Sequence, residues 1–160
     1  MSKPEKRTEP DPASDDPVLR AIQEALNEQA RKEFSPRVVE LWSHPRRRGT
    51  IDRPDGFARN RGICGDTMAV YLSLKNDRIV AARYETDGCG VTTACGEAIT
   101  ELAEGKTLEE AFGISPRALL KDLGRLPRSH WHCCLLATTT LHNALANYLA
   151  LHGDAAPERP

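Results

Sequence analysis

Five cysteines, all between residues 64 and 134, are where this sequence could do chemistry. Cys64 sits in GICGDTM, with Asp66 two residues on. Cys89 sits in DGCG, and Cys133 directly follows His132 in SHWHCCLL. A thiolate is both a nucleophile and a soft metal ligand. Three thiolates with one imidazole or carboxylate form a roughly tetrahedral set that suits zinc or an iron–sulfur centre. Glycines beside Cys64 and Cys89 permit tight turns and let backbone N–H groups approach sulfur. The other reading of the same residues is plain burial, since free cysteine is among the most buried residue types. Cys95 and Cys134 fit burial best, with a second redox role as the alternative. Trp131 is either core or a partner-facing aromatic.

Elements that could position these residues follow from periodicity. Leu19, Ile22, Leu26 and Ala30 recur at helical spacing, which predicts an amphipathic helix over 18–33. Ser35-Pro36 opens a short helix as N-cap and first helical residue, and His44-Pro45 stops it. Residues 46–62 are basic and Gly-rich, a loop or irregular strand whose arginine run is a solvated face or an acidic-partner surface. TMAVYLSL (67–74) alternates Met68, Val70, Leu72 and Leu74 on one face; KNDR turns the chain; IVAARYET (79–86) pairs back. A helix follows over about 93–104, with Ile99 and Leu102 inward. Thr107 and Glu110 form a capping-box pattern for a helix that stops at Gly113. Ser115-Pro116 starts another that stops at Gly124, and Leu136, Leu141, Leu145, Tyr148 and Leu149 mark a terminal helix over about 131–152. The order gives an α+β fold with helices laid on one face of a small antiparallel sheet.

The hairpin has a chemical consequence. Residues before its first strand and after its second lie at the same end, so Cys64, Asp66 and Cys89 should come near one another. Cys89 and Cys133 also stand where helices begin, and the positive end of the peptide dipoles there favours thiolate.

The totals narrow the setting. The chain has 160 residues, 28% charged and 39% hydrophobic, with a net charge of -1. Length and composition are those of one globular domain. The charge balance points to no nucleic acid and no anionic membrane. No apolar run is long enough to span a bilayer, and the start, MSKPEKRTEPDPASDDP, has no apolar core of a secretory signal. A cytoplasmic location is therefore expected, with cysteines as thiols or ligands and not disulfides. Residues 1–17 and 153–160 read as disordered tails around one domain over 18–152.

From about Ser35 to Leu151 the chain resembles the IscU/NifU N-terminal family of iron–sulfur cluster assembly scaffolds. Five ordered markers carry the likeness: SPRVVELWSHPRRRGTI, Cys-Gly-Asp at 64–66, Gly-Cys-Gly at 88–90, LAEGKTLEEA at 102–111, and His-Cys at 132–133 heading a helix. The resemblance implies a three-stranded antiparallel sheet with helices on one face, plus an extra N-terminal helix outside the family core. It implies that Cys64, Cys89 and Cys133 hold a transient [2Fe–2S] cluster. Asp66 and His132 would be its exchangeable ligands, and Cys133 would accept persulfide sulfur. The implied partners are a cysteine desulfurase and apo iron–sulfur proteins. The segment that a dedicated chaperone reads in the family is here Leu126-Pro127-Arg128-Ser129-His130, which keeps only the Leu-Pro. Such a scaffold is not an enzyme. Iron is its cargo, and zinc would use the same ligands in a resting state. The alternative function is a zinc-containing persulfide relay that stimulates a desulfurase without building clusters.

Overall fold

The computed structural model describes residues 16–153. Most of the two expected disordered tails therefore lies outside the described residues. Their inner edges are ordered: Asp16 caps the first helix by accepting from the Val18 N–H at 2.8 Å, and Pro17 is the first helical residue. Helix α1 (Pro17–Glu33) leads by a short link into α2 (Pro36–Ser43). Ser35 caps α2 as expected, accepting from the Val38 N–H at 3.2 Å. Its hydroxyl also donates to the Leu123 carbonyl, which ties the start of α2 to a distant helix end.

The apolar stripe of α1 is helical but uncovered. Val18, Leu19, Ile22 and Leu26 are all exposed, and no α1 residue is buried. Only Ala30, near the C-terminal end, packs against the core.

Three strands make one antiparallel sheet in the order β1 (Gly56–Arg61), β2 (Thr67–Lys75), β3 (Arg78–Thr86). Asn76 and Asp77 form the two-residue β2–β3 turn, both with positive φ (54° and 57°). That matches the right-handed strand twist, and Asn and Asp tolerate this backbone better than most residues. The 46–62 stretch resolves into a loop followed by β1. β1 pairs along its full length with β2, from Gly56 opposite Leu72 to Arg61 opposite Thr67.

The arginine run before β1 is solvated at Arg46 and Arg48, which are exposed, while Arg47 is half-buried and tied into the fold. The Arg47 N–H donates to the buried Glu97 carboxylate at 2.5 Å, and its guanidinium pairs with Glu104 at 2.9 Å. Arg48 bridges to Tyr84 and donates to the Thr86 carbonyl. Charge-assisted bonds of this kind fasten the loop along β3.

Helices follow: α3 (Gly90–Ala103), α4 (Leu108–Phe112), α5 (Pro116–Leu123), a 3₁₀ turn (Arg128–His130) and α6 (Trp131–His152). Helix α3 begins three residues earlier than its periodicity predicts, because Cys89 is its N-cap. The capping box of α4 forms in both directions, Thr107 N–H to Glu110 at 2.9 Å and Glu110 N–H to Thr107 at 3.3 Å. Helices α3 and α6 cover the sheet, and Met68, Val70, Leu72, Ile79, Tyr84, Ile99, Leu141 and Leu145 are buried between them. Among the described residues no helix is long and apolar enough to cross a membrane.

Candidate functional site

Three segments meet at one end of the sheet. The first is the 62–66 turn between β1 and β2, closed by Gly62 N–H to Asp66 O at 2.8 Å and Gly65 N–H to Gly62 O at 3.0 Å. Gly65 has φ of +88°, a backbone that a side chain would strain. The turn leaves Cys64 exposed and Asp66 half-buried. The second segment runs from the end of β3 into α3. It is clamped to the first by Thr86 Oγ1 to Thr67 O at 2.7 Å and Thr67 N–H to Asp87 at 2.7 Å. Gly88 must be glycine here, since a Cβ would stand 2.7 Å from both Asp66 Oδ2 and the Thr92 side chain. The third segment is the first turn of α6, which carries His132 and the buried Cys133.

Thr92 stands where they meet, one turn into α3 and fully buried. Its Oγ1 donates to Asp66 Oδ2 at 3.0 Å. The same oxygen lies 3.7 Å from Cys89 Sγ and 3.6 Å from Cys133 Sγ. His132 Nε2 is 3.6 Å from Cys133 Sγ. A hydroxyl has one proton and two lone pairs. Either partner can donate in the two sulfur contacts.

Burial raises the Cys133 thiol to a pKa of about 11, with the Cys89, Cys64 and Asp66 charges adding and the Thr92 contact opposing. Desolvation therefore opposes the thiolate that the start of α6 would favour. Cys133 also stands inside the first turn of α6, not ahead of it. Those charges show that all the expected site residues share one neighbourhood, including Cys64, the most distant in sequence from Cys133. Among the described residues, no three His, Cys, Asp or Glu side chains stand in closed metal-binding geometry. Closing on an ion would require these side chains to move.

Two further cysteines lie deeper. Cys95 and Cys134 are both buried, with sulfurs 3.9 Å apart. Trp131 is not core. It is 42% exposed, its Nε1 donates to the Leu126 carbonyl at 2.9 Å, and Arg128 lies over its ring. Beside the site, Ile63 and Leu135 are exposed at the edge of a cleft of about 180 Å³ that His132 also lines.

Sequence reasoning named each side chain around Thr92 but missed Thr92 itself. The available signal was its position three residues after Cys89, which returns it to the same face of a helix.

A three-stranded antiparallel sheet backed by helices, with thiols from three loop–element junctions gathered at one end, defines an α+β domain built around a thiol pocket. The chain belongs to the NifU-like N terminal domain family, whose sequence profile matches residues 33–154. It is similar to "Iron-sulfur cluster assembly scaffold protein IscU 1" of Archaeoglobus fulgidus, at 36% identity over 75% of this chain and 79% of that protein. It is also similar to the protein "Iron-sulfur cluster assembly scaffold protein IscU" of Haemophilus influenzae, at 32% identity over 75% of this chain and 98% of that one. A crystal structure of a putative SUF-system scaffold from Fervidobacterium islandicum shares the fold, with a TM-score of 0.61 and 20% identity over 71% of this chain and 97% of that one. Helix α1 lies almost wholly ahead of the family match.

Proposed function

We propose that this protein is a scaffold for iron–sulfur cluster assembly. It takes sulfur from a cysteine desulfurase onto Cys133, binds iron, builds a [2Fe–2S] cluster and passes it to apo iron–sulfur proteins. Cys64, Cys89 and Cys133 supply the thiolates, with Asp66 and His132 as exchangeable ligands. The observation that carries this reading is the single hydroxyl of Thr92, which holds Asp66 and touches both Cys89 and Cys133. The scaffold names of the relatives support it, and so does the chemistry of the donor set. A carboxylate or imidazole grips iron less firmly than a thiolate, so a mixed site can give its cargo up. The chain turns over no substrate of its own; iron and sulfur leave as cargo. The apolar cleft edge at Ile63 and Leu135 suits an approaching protein donor or acceptor. A cytoplasmic setting fits thiols that must stay reduced.

Anaerobic reconstitution tests the reading, with ferrous iron, cysteine and a desulfurase. The expected product shows visible charge-transfer absorption and acid-labile sulfide, with about two iron atoms per bound cluster. Protein that keeps zinc, forms no cluster and only accelerates the desulfurase would establish the zinc relay instead. Cys133→Ser should lose sulfur acceptance while keeping its fold, and normal persulfide labelling of that variant would contradict the assignment. Asp66→Ala should lengthen cluster lifetime by removing a weak ligand.

A further inference from the structure

The site leaves one nucleophilic pair unused. Cys95 lies one helical turn beyond Thr92 on α3, and Cys134 directly follows Cys133 on α6. Thr92 Oγ1 meets Cys133 Sγ at 3.6 Å, and Cys95 Sγ meets Cys134 Sγ at 3.9 Å. These are neighbouring contacts along one α3–α6 seam, about 4.5 Å of helix rise apart on α3 and about 1.5 Å apart on α6. Cys95 is also within electrostatic reach of both Cys133 and Cys89.

The chemistry of the cargo supplies the need. Sulfur arrives on Cys133 as a persulfide, whose outer atom must gain two electrons to leave as sulfide. A dithiol closing to a disulfide releases two electrons. We propose that Cys95 and Cys134 form an internal dithiol that reduces the sulfur carried by Cys133 to sulfide inside the same chain. The proposal rests on the reading of Cys133 as sulfur acceptor.

The step balances in two exchanges. Cys95 passes its proton to Cys134 across their 3.9 Å contact and its sulfur attacks the Cys133 sulfur; the persulfide S–S bond breaks, and hydrosulfide leaves with the electron pair and takes up that proton. Cys134 then attacks Cys95, forming the Cys95–Cys134 disulfide and returning Cys133 as thiolate. In sum, one persulfide and two thiols become one thiol, one disulfide and one hydrogen sulfide. An external dithiol resets the pair by the same exchange. Both thiols are buried, so this reset requires the first turn of α6, which has no side-chain cap hydrogen bond, to open.

A single-turnover experiment on the full chain decides the matter. Protein is loaded by desulfurase and cysteine, separated from both, held without oxygen or added reductant, then alkylated and mapped by mass spectrometry. The expected result is one sulfide released per chain and a disulfide joining Cys95 to Cys134. Cys95→Ala and Cys134→Ala, each a small apolar replacement, should both accept sulfur normally; Cys95→Ala should keep it on Cys133 with loss of sulfide release, while Cys134→Ala should release the sulfide and stop at a Cys95–Cys133 disulfide. If either variant fails to fold, the wild-type map decides alone. Sulfide released while both thiols remain open to alkylation would overturn the proposal. So would sulfur that persists on Cys133 in the wild type, which leaves the scaffold reading standing. A Cys133 that never gains sulfur would overturn the acceptor assignment and this proposal with it.

Discussion

Replacing Thr92 by valine should weaken the fold and strengthen metal binding at once. Valine keeps the shape of threonine and removes its hydroxyl. In the metal-free protein the lost interaction is the 3.0 Å bond to Asp66, together with the contacts to two thiols. A hydrogen bond to a charged group contributes about 1.5–3 kcal/mol. Asp66 is only half-buried and can take water in exchange, so the low end, about 1.5 kcal/mol, applies here. For a chain of this size that lowers the melting temperature by about 3–6 °C. If a bound metal draws Asp66 and the thiols off Thr92, the metal-loaded state loses nothing. The thermodynamic cycle then returns the same free energy as affinity, about tenfold tighter binding. Zinc is a convenient probe, read by competition against a coloured chelator, with thermal melts of chelator-stripped protein alongside. Thr92→Ser keeps the hydroxyl and should resemble the wild type in both assays. A purely structural threonine would lower stability and affinity together. Thr92→Val with a lower melting temperature and unchanged or weaker zinc binding would therefore refute the displacement of Thr92 by the metal.

Further outcomes test the frame around the site. Gly96→Ala puts a Cβ 2.5 Å from Cε2 of the buried Tyr84 ring and should destabilise by about 1–3 kcal/mol in chemical denaturation. Burial pushes Glu104 up, but bonds from Arg47, the Ala82 N–H and Arg83 win and hold it below the usual glutamate range. A depressed folded pKa contributes stability above the unfolded value, about 4.3, and loses it as pH falls through the folded value. Melting temperature should thus drop on acidification below about pH 5, and more shallowly in Glu104→Gln; equal slopes would exclude Glu104 as a source. Ile22→Glu with Leu26→Glu should change stability by no more than about 0.5 kcal/mol, because neither side chain is buried in α1.

What the sequence made legible was local. The β2–β3 hairpin follows from strict alternation around Asn76-Asp77. Helices α2, α4 and α5 follow from Ser35, Thr107 and Ser115, each of which caps with a side-chain oxygen. Strand β1 was ambiguous because GFARNR has almost no alternation of its own; β2 supplies its partner, and pairing is not a local property. The start of α3 was misplaced because Cys89 caps without an oxygen, so the usual signal is missing. The uncovered face of α1 shows the converse: periodicity specifies a helix without specifying that anything covers it.

The meeting of Cys64, Asp66 and Cys89 could be argued from antiparallel geometry, since both flanks of a hairpin share an end. The arrival of Cys133 could not, because no local rule says where α6 enters; only the family resemblance placed it there. The seam that brings α6 in also decides the chemistry. It buries Cys133 among three other acidic groups, so its thiol proton must be displaced before sulfur can bind a metal. A proton that competes for the ligand weakens the grip on iron. In the proposed scaffold, the α3–α6 packing that assembles the pocket is thus also what disfavours the Cys133 thiolate.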